Sequence, residues 1–287
     1  MEPLRGADPA GIAGYRPLRR LGAGGMGVVY LARSGSGSLA AVKVIRAAHA
    51  DDPGFRARFR REVETAGRVT SPWVVPLLDA DPDAESPWLA TAFVPGPSLA
   101  EAVEECGPLP YRSVRFLGAR LAEALEAVHG AGLVHRDVKP GNVLLAVDGP
   151  RMIDFGIARM PEDTALTASG MVVGSPGFLS PEQARGRGRE IGPASDVFSL
   201  GCLLAFAATG ERPFGRGSAA EALVRTVHDE PDLDGVPAPL LLLLRNCLAK
   251  EPGSRPPVAD IRRVLDGTEP DDRNSEGGAG CPNRPPG

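Results

Sequence analysis

"LGAGGMGVVYLARS" runs from Leu21 to Ser34. Four glycines, Gly22, Gly24, Gly25 and Gly27, fall within six residues, and Val28 and Val29 follow at once. What comes after the glycines decides between folds. A dinucleotide-binding fingerprint needs a helix to begin there. Here β-branched and aromatic residues follow, and these favour a strand. No Gly-Lys-Ser/Thr occurs in the chain, so a Walker-type phosphate loop is excluded as well. The stretch reads as strand, glycine turn, strand. Glycines let such a turn approach a ligand closely and aim backbone N–H groups at phosphate oxygens. Taken alone, the same residues also describe an ordinary hairpin.

The flanking sequence extends the pattern. "PLRRL" (17–21), "VVYLAR" (28–33) and "LAAVKVI" (39–45) read as strands, with "SGSGS" (34–38) as a hairpin tip. Lys43 lies on the third strand, one hairpin away from the glycines. A strand lysine is commonly a solvated edge residue, so a partner must hold it inward. Residues 53–69 read as a helix opened by Pro53, with Phe55, Phe59, Val63 and Ala66 at helical spacing. Glu62 shares their side and is the first choice of partner, with Glu64 second. Short strands follow around 74–78 and 88–93. "VPGPS" (94–98) then breaks the pattern and reads as a linker between lobes. Beyond it Leu117, Leu121, Leu125 and Val128 line one face of a long helix ending near Gly130. Residues 195–209, 218–229, 238–249 and 256–266 are further helices. Residues 1–13 read as a disordered lead-in, and 267–287, poor in core-forming residues, as a disordered tail.

Composition bounds the function. With 287 residues and 43% hydrophobic content, the chain can fill one large domain or two lobes. A net charge of −4 gives no reason to expect a nucleic-acid partner or an anionic membrane. The four cysteines, Cys106, Cys202, Cys247 and Cys281, are widely spaced without a C-x-x-C, which speaks for reduced thiols over a zinc site. No stretch has the length of a membrane span, and the N-terminus lacks the apolar run of a signal peptide. A cytoplasmic location follows as an expectation.

"VHRDVKPGNVLL" (Val134 to Leu145) carries the chemistry. It sets Asp137, Lys139 and Asn142 on one loop between a helix and a strand. "MIDFGIAR" follows, with Asp154, Phe155 and Gly156. An aspartate and an asparagine on neighbouring loops can share Mg²⁺, which takes few protein oxygens. Asp137 is left to receive the proton of an attacking hydroxyl.

In order and spacing these motifs resemble the eukaryotic-type (Hanks-type) protein kinases, above all the bacterial serine/threonine kinases. The resemblance covers about residues 14–266. It rests on "GAGGMGVV", "AVKV", Glu62, "HRDVKPGN", "DFG", "GSPGFLSPE" (Gly174 to Glu182), "DVFSLG" (Asp196 to Gly201) and Arg255. It implies an α+β, protein-kinase-like bilobal fold. A small β-rich N-lobe with one main helix would span 14–94, and a larger, mainly helical C-lobe 95–266.

The resemblance further implies transfer of the ATP γ-phosphate to protein Ser/Thr hydroxyls, with Mg²⁺ or Mn²⁺. Leu21, Gly22, Gly24 and Gly27 would cover the ATP. Val29 and Ala41 would line its adenine pocket, with Leu144 as floor, Thr91 guarding the back, and the backbone of Ala92 and Val94 at the adenine edge. Lys43, held by Glu62, would contact the α- and β-phosphates. Asp137 would be the base and Lys139 would steady the γ-phosphate, while Asn142 and Asp154 bind metal. Glu182, Arg255 and Asp196 would be structural. Lys139 marks the Ser/Thr branch, and Ser175 stands where the family commonly has threonine. Arg136 implies activation by a phosphate, for which Thr167 and Ser169 are best spaced, then Thr164. Family members can also pair, which would allow trans-autophosphorylation. A pseudokinase scaffold is the alternative, but Lys43, Asp137 and Asp154 are all kept. A small-molecule phosphotransferase would generally lack the "DFG" followed by "GSPGFLSPE".

Overall fold

The computed structural model describes residues 1–50, 52–154, 176–187, 190–215 and 217–267. Strands β1 (Arg16–Ala23), β2 (Gly27–Arg33) and β3 (Leu39–Ile45) form an antiparallel meander. After the short helix α1 (Ala47–Ala50) and the longer α2 (Pro53–Ala66) come β4 (Leu77–Asp81) and β5 (Trp88–Ala92). These complete a sheet of order β1-β2-β3-β5-β4. Alternation gives the sheet two apolar faces. Tyr30, Ala32, Ala40, Val42 and Ala90 bury one face together with Trp88 and Ile12. Ile45 and Leu89 on the other face receive Phe55 and Phe59 from α2. Asp52 caps α2 by accepting from the Gly54 N–H at 2.8 Å, and the helix ends three residues short of the predicted 69.

Two expectations for this lobe are corrected. Residues 1–13 are placed on the sheet instead of being disordered. Glu2 bridges Arg20 on β1, Asp8 accepts from Arg20 Nε and the Tyr30 hydroxyl at 2.8 Å each, and Ile12 is buried beside Tyr30 and Trp88. The Arg20 bond leads the interactions that hold the Asp8 carboxyl below its ordinary pKa of 3.8. Local composition could not reveal partners 12 and 22 residues away. The strand predicted at 74–78 is split. Met152 donates to Trp73 O at 2.8 Å and accepts from the Val75 N–H at 3.0 Å, so this part belongs with the other lobe. Pro76 has no N–H to give, and β4 starts after it.

The linker holds another departure. Gly96 adopts φ +146°, and a Cβ there would lie 2.3 Å from Leu145 O, so only glycine fits this approach. Helix α3 (Leu99–Cys106) starts directly after, capped by reciprocal Ser98–Glu101 bonds. That S-x-x-E box was the available signal.

Helix α4 (Tyr111–Gly130) buries Leu117, Leu121, Leu125 and Val128, as its periodicity predicts. The hairpin β6 (Val143–Ala146) and β7 (Gly149–Met152) lies behind the hinge. Helices α5 (Pro181–Ala184), α6 (Pro193–Thr209), α7 (Ala219–His228), α8 (Ala238–Cys247) and α9 (Val258–Asp266) complete the large lobe. Helix α6 is buried along most of its length, between α4 and α8. Cys202 and Cys247 are free and buried. The tail beyond Gly267 lies outside the described residues. No described helix is long and apolar enough to cross a membrane.

Candidate active site

The loop after α4 is anchored from the core. Asp196 on α6 has a side chain only 1% exposed. Its Oδ2 accepts from His129 Nε2 and the His135 N–H, and its Oδ1 from the Arg136 N–H, each at 2.8 Å. His135 is fully buried. Burial lowers its pKa below the ordinary 6.5, overriding the pull of nearby carboxylates. The neutral ring bonds on both sides: Nε2–H donates to Ile153 O at 3.2 Å, and Nδ1 accepts from the Asp137 N–H at 3.3 Å. His135 is a positioning group to which sequence reasoning assigned no role. Arg136 has φ +63° and Asp154 φ +55°. Such left-handed conformations cost roughly 1–3 kcal/mol each for a residue with a side chain, so surrounding bonds must impose them.

Asp137 is framed within its own loop. Asn142 Nδ2 donates to both its carbonyl and its Oδ2 at 2.9 Å. Lys139 Nζ lies 2.9 Å from the same Oδ2. The sequence places these three on one loop, and the structure brings their side chains together.

Strand register gathers the residues expected around a nucleotide. Val29 faces Lys43 across β2–β3, and Ala41 faces Thr91 across β3–β5, which puts all four on one face of the sheet. Leu144 lies on β6, bridged to Ser98 beside the hinge. The Ala92 N–H donates to Pro76 O at 3.2 Å, which commits that donor within the lobe. At the glycine turn, the Gly24 N–H closes onto Gly27 O at 2.9 Å. Side chains added at Gly22 or Gly24 would meet nothing within 4 Å. Gly27 differs, because a Cβ there would sit 2.1 Å from Val44 O. Its need for glycine comes from the next strand.

The expected Lys43–Glu62 pair is not the one formed. Lys43 Nζ lies 3.4 Å from Asp154 Oδ2, and Glu62 Oε1 lies 3.9 Å from Arg136 Nη1. The sequence offers Glu62 two cations from different lobes, and pattern alone does not rank them.

Glu182 and Arg255 pair as expected. The guanidinium reaches both carboxylate oxygens, Nη1 to Oε1 at 2.7 Å and Nη2 to Oε2 at 2.9 Å, with both side chains essentially unexposed. Its other N–H groups donate to the carbonyls of Ala249, Ala194 and Lys250. Burial opposes the charge on Glu182, but the bonds from Arg255 and Ser195 outweigh it and hold the pKa below 4.5. Next to Glu182, Gln183 Nε2 donates to Arg136 O at 2.9 Å.

The residues fit a divalent cation of the hard kind. Asn142 Nδ2 is committed to Asp137, which leaves the amide oxygen to face an ion. Asp154 adds a carboxylate, 39% exposed, already facing a cation in Lys43. Among the described residues no three His, Cys, Asp or Glu side chains form a closed cage. Two oxygen donors suit an ion that keeps water and phosphate ligands. Phe155, Gly156, Thr164, Thr167, Ser169 and Ser175 lie outside the described residues.

Comparison with known proteins agrees with this geometry. The model of the family "Protein kinase domain" matches residues 15–264. The chain is 51% identical over 265 residues to the serine/threonine-protein kinase AfsK of Streptomyces coelicolor, covering 92% of this chain and 33% of that one. It is 50% identical to the probable serine/threonine-protein kinase PkwA of Thermomonospora curvata, again over 92% of this chain and 35% of the relative. It thus spans about a third of the length of these curated relatives. The crystal structure of the Mycobacterium tuberculosis PknI kinase domain superposes with a TM-score of 0.71 at 28% identity, over 91% of this chain and 99% of that one. With its two lobes and the framed Asp137 between them, the chain belongs to the protein kinase domain family, as a bacterial Hanks-type serine/threonine kinase catalytic domain.

Proposed function

We propose that this chain transfers the γ-phosphoryl group of ATP to serine and threonine hydroxyls of proteins. The observation that supports it is Asp137, set in a frame of Asn142, Lys139 and His135. Family membership brings ATP, a divalent metal and protein substrates. Asn142 and Asp154 are the proposed metal ligands, and their hard oxygens favour Mg²⁺ and admit Mn²⁺. A metal bound there offsets charge on the phosphoryl oxygens. Gly22, Gly24 and Gly27 cover the phosphates, and Leu21 beside them adjoins the ATP. Val29, Ala41, Thr91 and Leu144 enclose the adenine, with the backbone of Ala92 and Val94 at its edge. Lys43 leaves Asp154 for the α- and β-phosphates, which frees that carboxylate for the metal. Lys139 steadies the γ-phosphate, and Asp137 accepts the hydroxyl proton as the new oxygen–phosphorus bond forms and the bond from that phosphorus to the β-phosphate oxygen breaks, with ADP leaving. The reaction's need for ATP argues for the cytoplasm.

Thr167 and Ser169, with Thr164 behind them, are the proposed autophosphorylation sites, and a second copy of the chain is the proposed partner in that reaction. A phosphate there would compete with Glu62 for Arg136 and release Glu62 toward Lys43.

The test is intact mass over time for phosphatase-treated chain given Mg-ATP, beside Asp137→Asn and Asp154→Asn. Wild type gains steps of one phosphate, at a rate that rises with chain concentration, and peptide mapping finds them at Thr167 or Ser169. Asp137→Asn slows the steps by about 10²- to 10⁴-fold. Nucleotide binding without any step would favour the pseudokinase alternative.

A further inference from the structure

We infer that Gln183 is a positioning residue for phosphoryl transfer, which ties the start of α5 to the peptide bond leading into Asp137. This rests on the reading of Asp137 as the proton acceptor.

The side-chain amide of Gln183 bonds at both ends. Its Oε1 accepts from the Ser180 N–H at 3.0 Å and from the Ser180 hydroxyl at 3.1 Å. Its Nε2 donates to Arg136 O at 2.9 Å, across 47 residues of sequence. A backbone N–H only donates and a carbonyl only accepts, so these partners fix which way the amide points.

The carbonyl it holds belongs to the Arg136–Asp137 peptide. That peptide's other edge, the Asp137 N–H, donates to His135 Nδ1 at 3.3 Å. The plane is thus pinned on both sides, by Gln183 and by His135. One residue back, the Arg136 N–H is pinned by Asp196 at 2.8 Å. Arg136 keeps φ +63° between these anchors. Without the Gln183 bond, rotation of the plane would relax Arg136 and swing the Asp137 carboxylate away from its frame.

The anchor itself is rigid. Gln183 is 8% exposed, and its neighbour Glu182 is locked to Arg255. Helix α5 follows directly on residues 177–180, so one amide makes the base's orientation depend on how that helix start is seated.

The experiment compares wild type with Gln183→Met, which keeps length but removes both the donor to Arg136 and the acceptor of the Ser180 bonds, and Gln183→Glu, which keeps that acceptor and turns an oxygen toward the Arg136 carbonyl. Steady-state phosphorylation of a Ser/Thr peptide, nucleotide affinity and thermal melting are measured on the same preparations. The expected result is a fall in kcat of about tenfold for each variant, the scale of one hydrogen bond. KM for ATP and nucleotide affinity stay within about twofold, because the small lobe is untouched. Gln183→Asn keeps the amide but draws it back by one methylene, and it serves where the Met variant does not fold. It also loses kcat at constant ATP affinity. Variants with wild-type kcat, or with losses that follow the folded fraction, overturn the inference. An inactive wild type overturns the phosphoryl-transfer reading, and the inference with it.

Discussion

Arg255 meets an acceptor with each of its five N–H groups, two of them on Glu182. Arg255→Met would leave the Glu182 carboxylate buried without its countercharge. The expected loss is about 3–5 kcal/mol of stability, read from urea unfolding. Arg255→Lys keeps the charge with three donors on a single nitrogen and falls between the two. A loss under about 1 kcal/mol in Arg255→Met would mean that water reaches the carboxylate. Charge partners of this kind are legible in sequence only where one motif supplies each side, as Glu182 and Arg255 do. Lys43, Glu62, Arg136 and Asp154 form a set of four, and their pairing depends on how the two lobes sit together. That arrangement is set by tertiary packing, which is why spacing alone, which pairs Lys43 with Glu62, does not anticipate the Lys43–Asp154 contact seen in this arrangement.

At the scale of elements, β2 and β3 meet so closely at Gly27 that a methyl group would collide with the Val44 carbonyl. Gly27→Ala should therefore lower the melting temperature by several degrees, as about 1–3 kcal/mol of overpacking demands. Gly24→Ala should melt near wild type. Equal melting of the two variants would place the need for Gly27 elsewhere. Long periodic elements were legible beforehand: α4 from its leucines, and β1 to β3 from β-branched runs between glycines and serines. Short elements were less so. Helix α3 hid inside a segment whose prolines and glycine read as linker. The start of β4 depended on whether Val74 and Val75 pair within the small lobe or with Met152. The lead-in was misread because one carboxylate, Asp8, finds Arg20 and Tyr30 only once the sheet exists. The Asp137 loop was the most legible part of the site, since Asn142 and Lys139 lie within five residues of Asp137. His135 and Gln183 were missed as positioning groups because the atoms they hold near Asp137, its own N–H and the Arg136 carbonyl, belong to the backbone and leave no trace in side-chain pattern; the S-x-x-Q spacing of Ser180 and Gln183 signals only a helix cap.

For the whole molecule, His135 and Glu182 tie folding to pH. The unfolded imidazole takes up a proton as pH falls through 6.5, while the buried ring resists until lower pH. The unfolded state then binds more protons, so stability drops as pH falls below 6.5. Glu182 acts in the same direction further down. Its contribution is complete above the unfolded value of 4.5 and is lost as pH falls through the lower folded value. Urea midpoints should therefore fall between about pH 7.5 and about pH 5.5, and His135→Asn should flatten that limb. A midpoint independent of pH in wild type would show that His135 titrates in the fold much as it does in the open chain.

The two free thiols of the large lobe give the chain a built-in clock. Burial pushes the Cys247 thiol up to about 12 and the Cys202 thiol higher, so the native state offers almost no thiolate to an alkylating reagent. Each becomes reactive only when α6 and α8 part. The rate at which Cys202 and Cys247 are modified thus counts openings of the large-lobe core, with no added label. A ligand seated between the lobes will slow that count only so far as its binding is felt beyond the cleft.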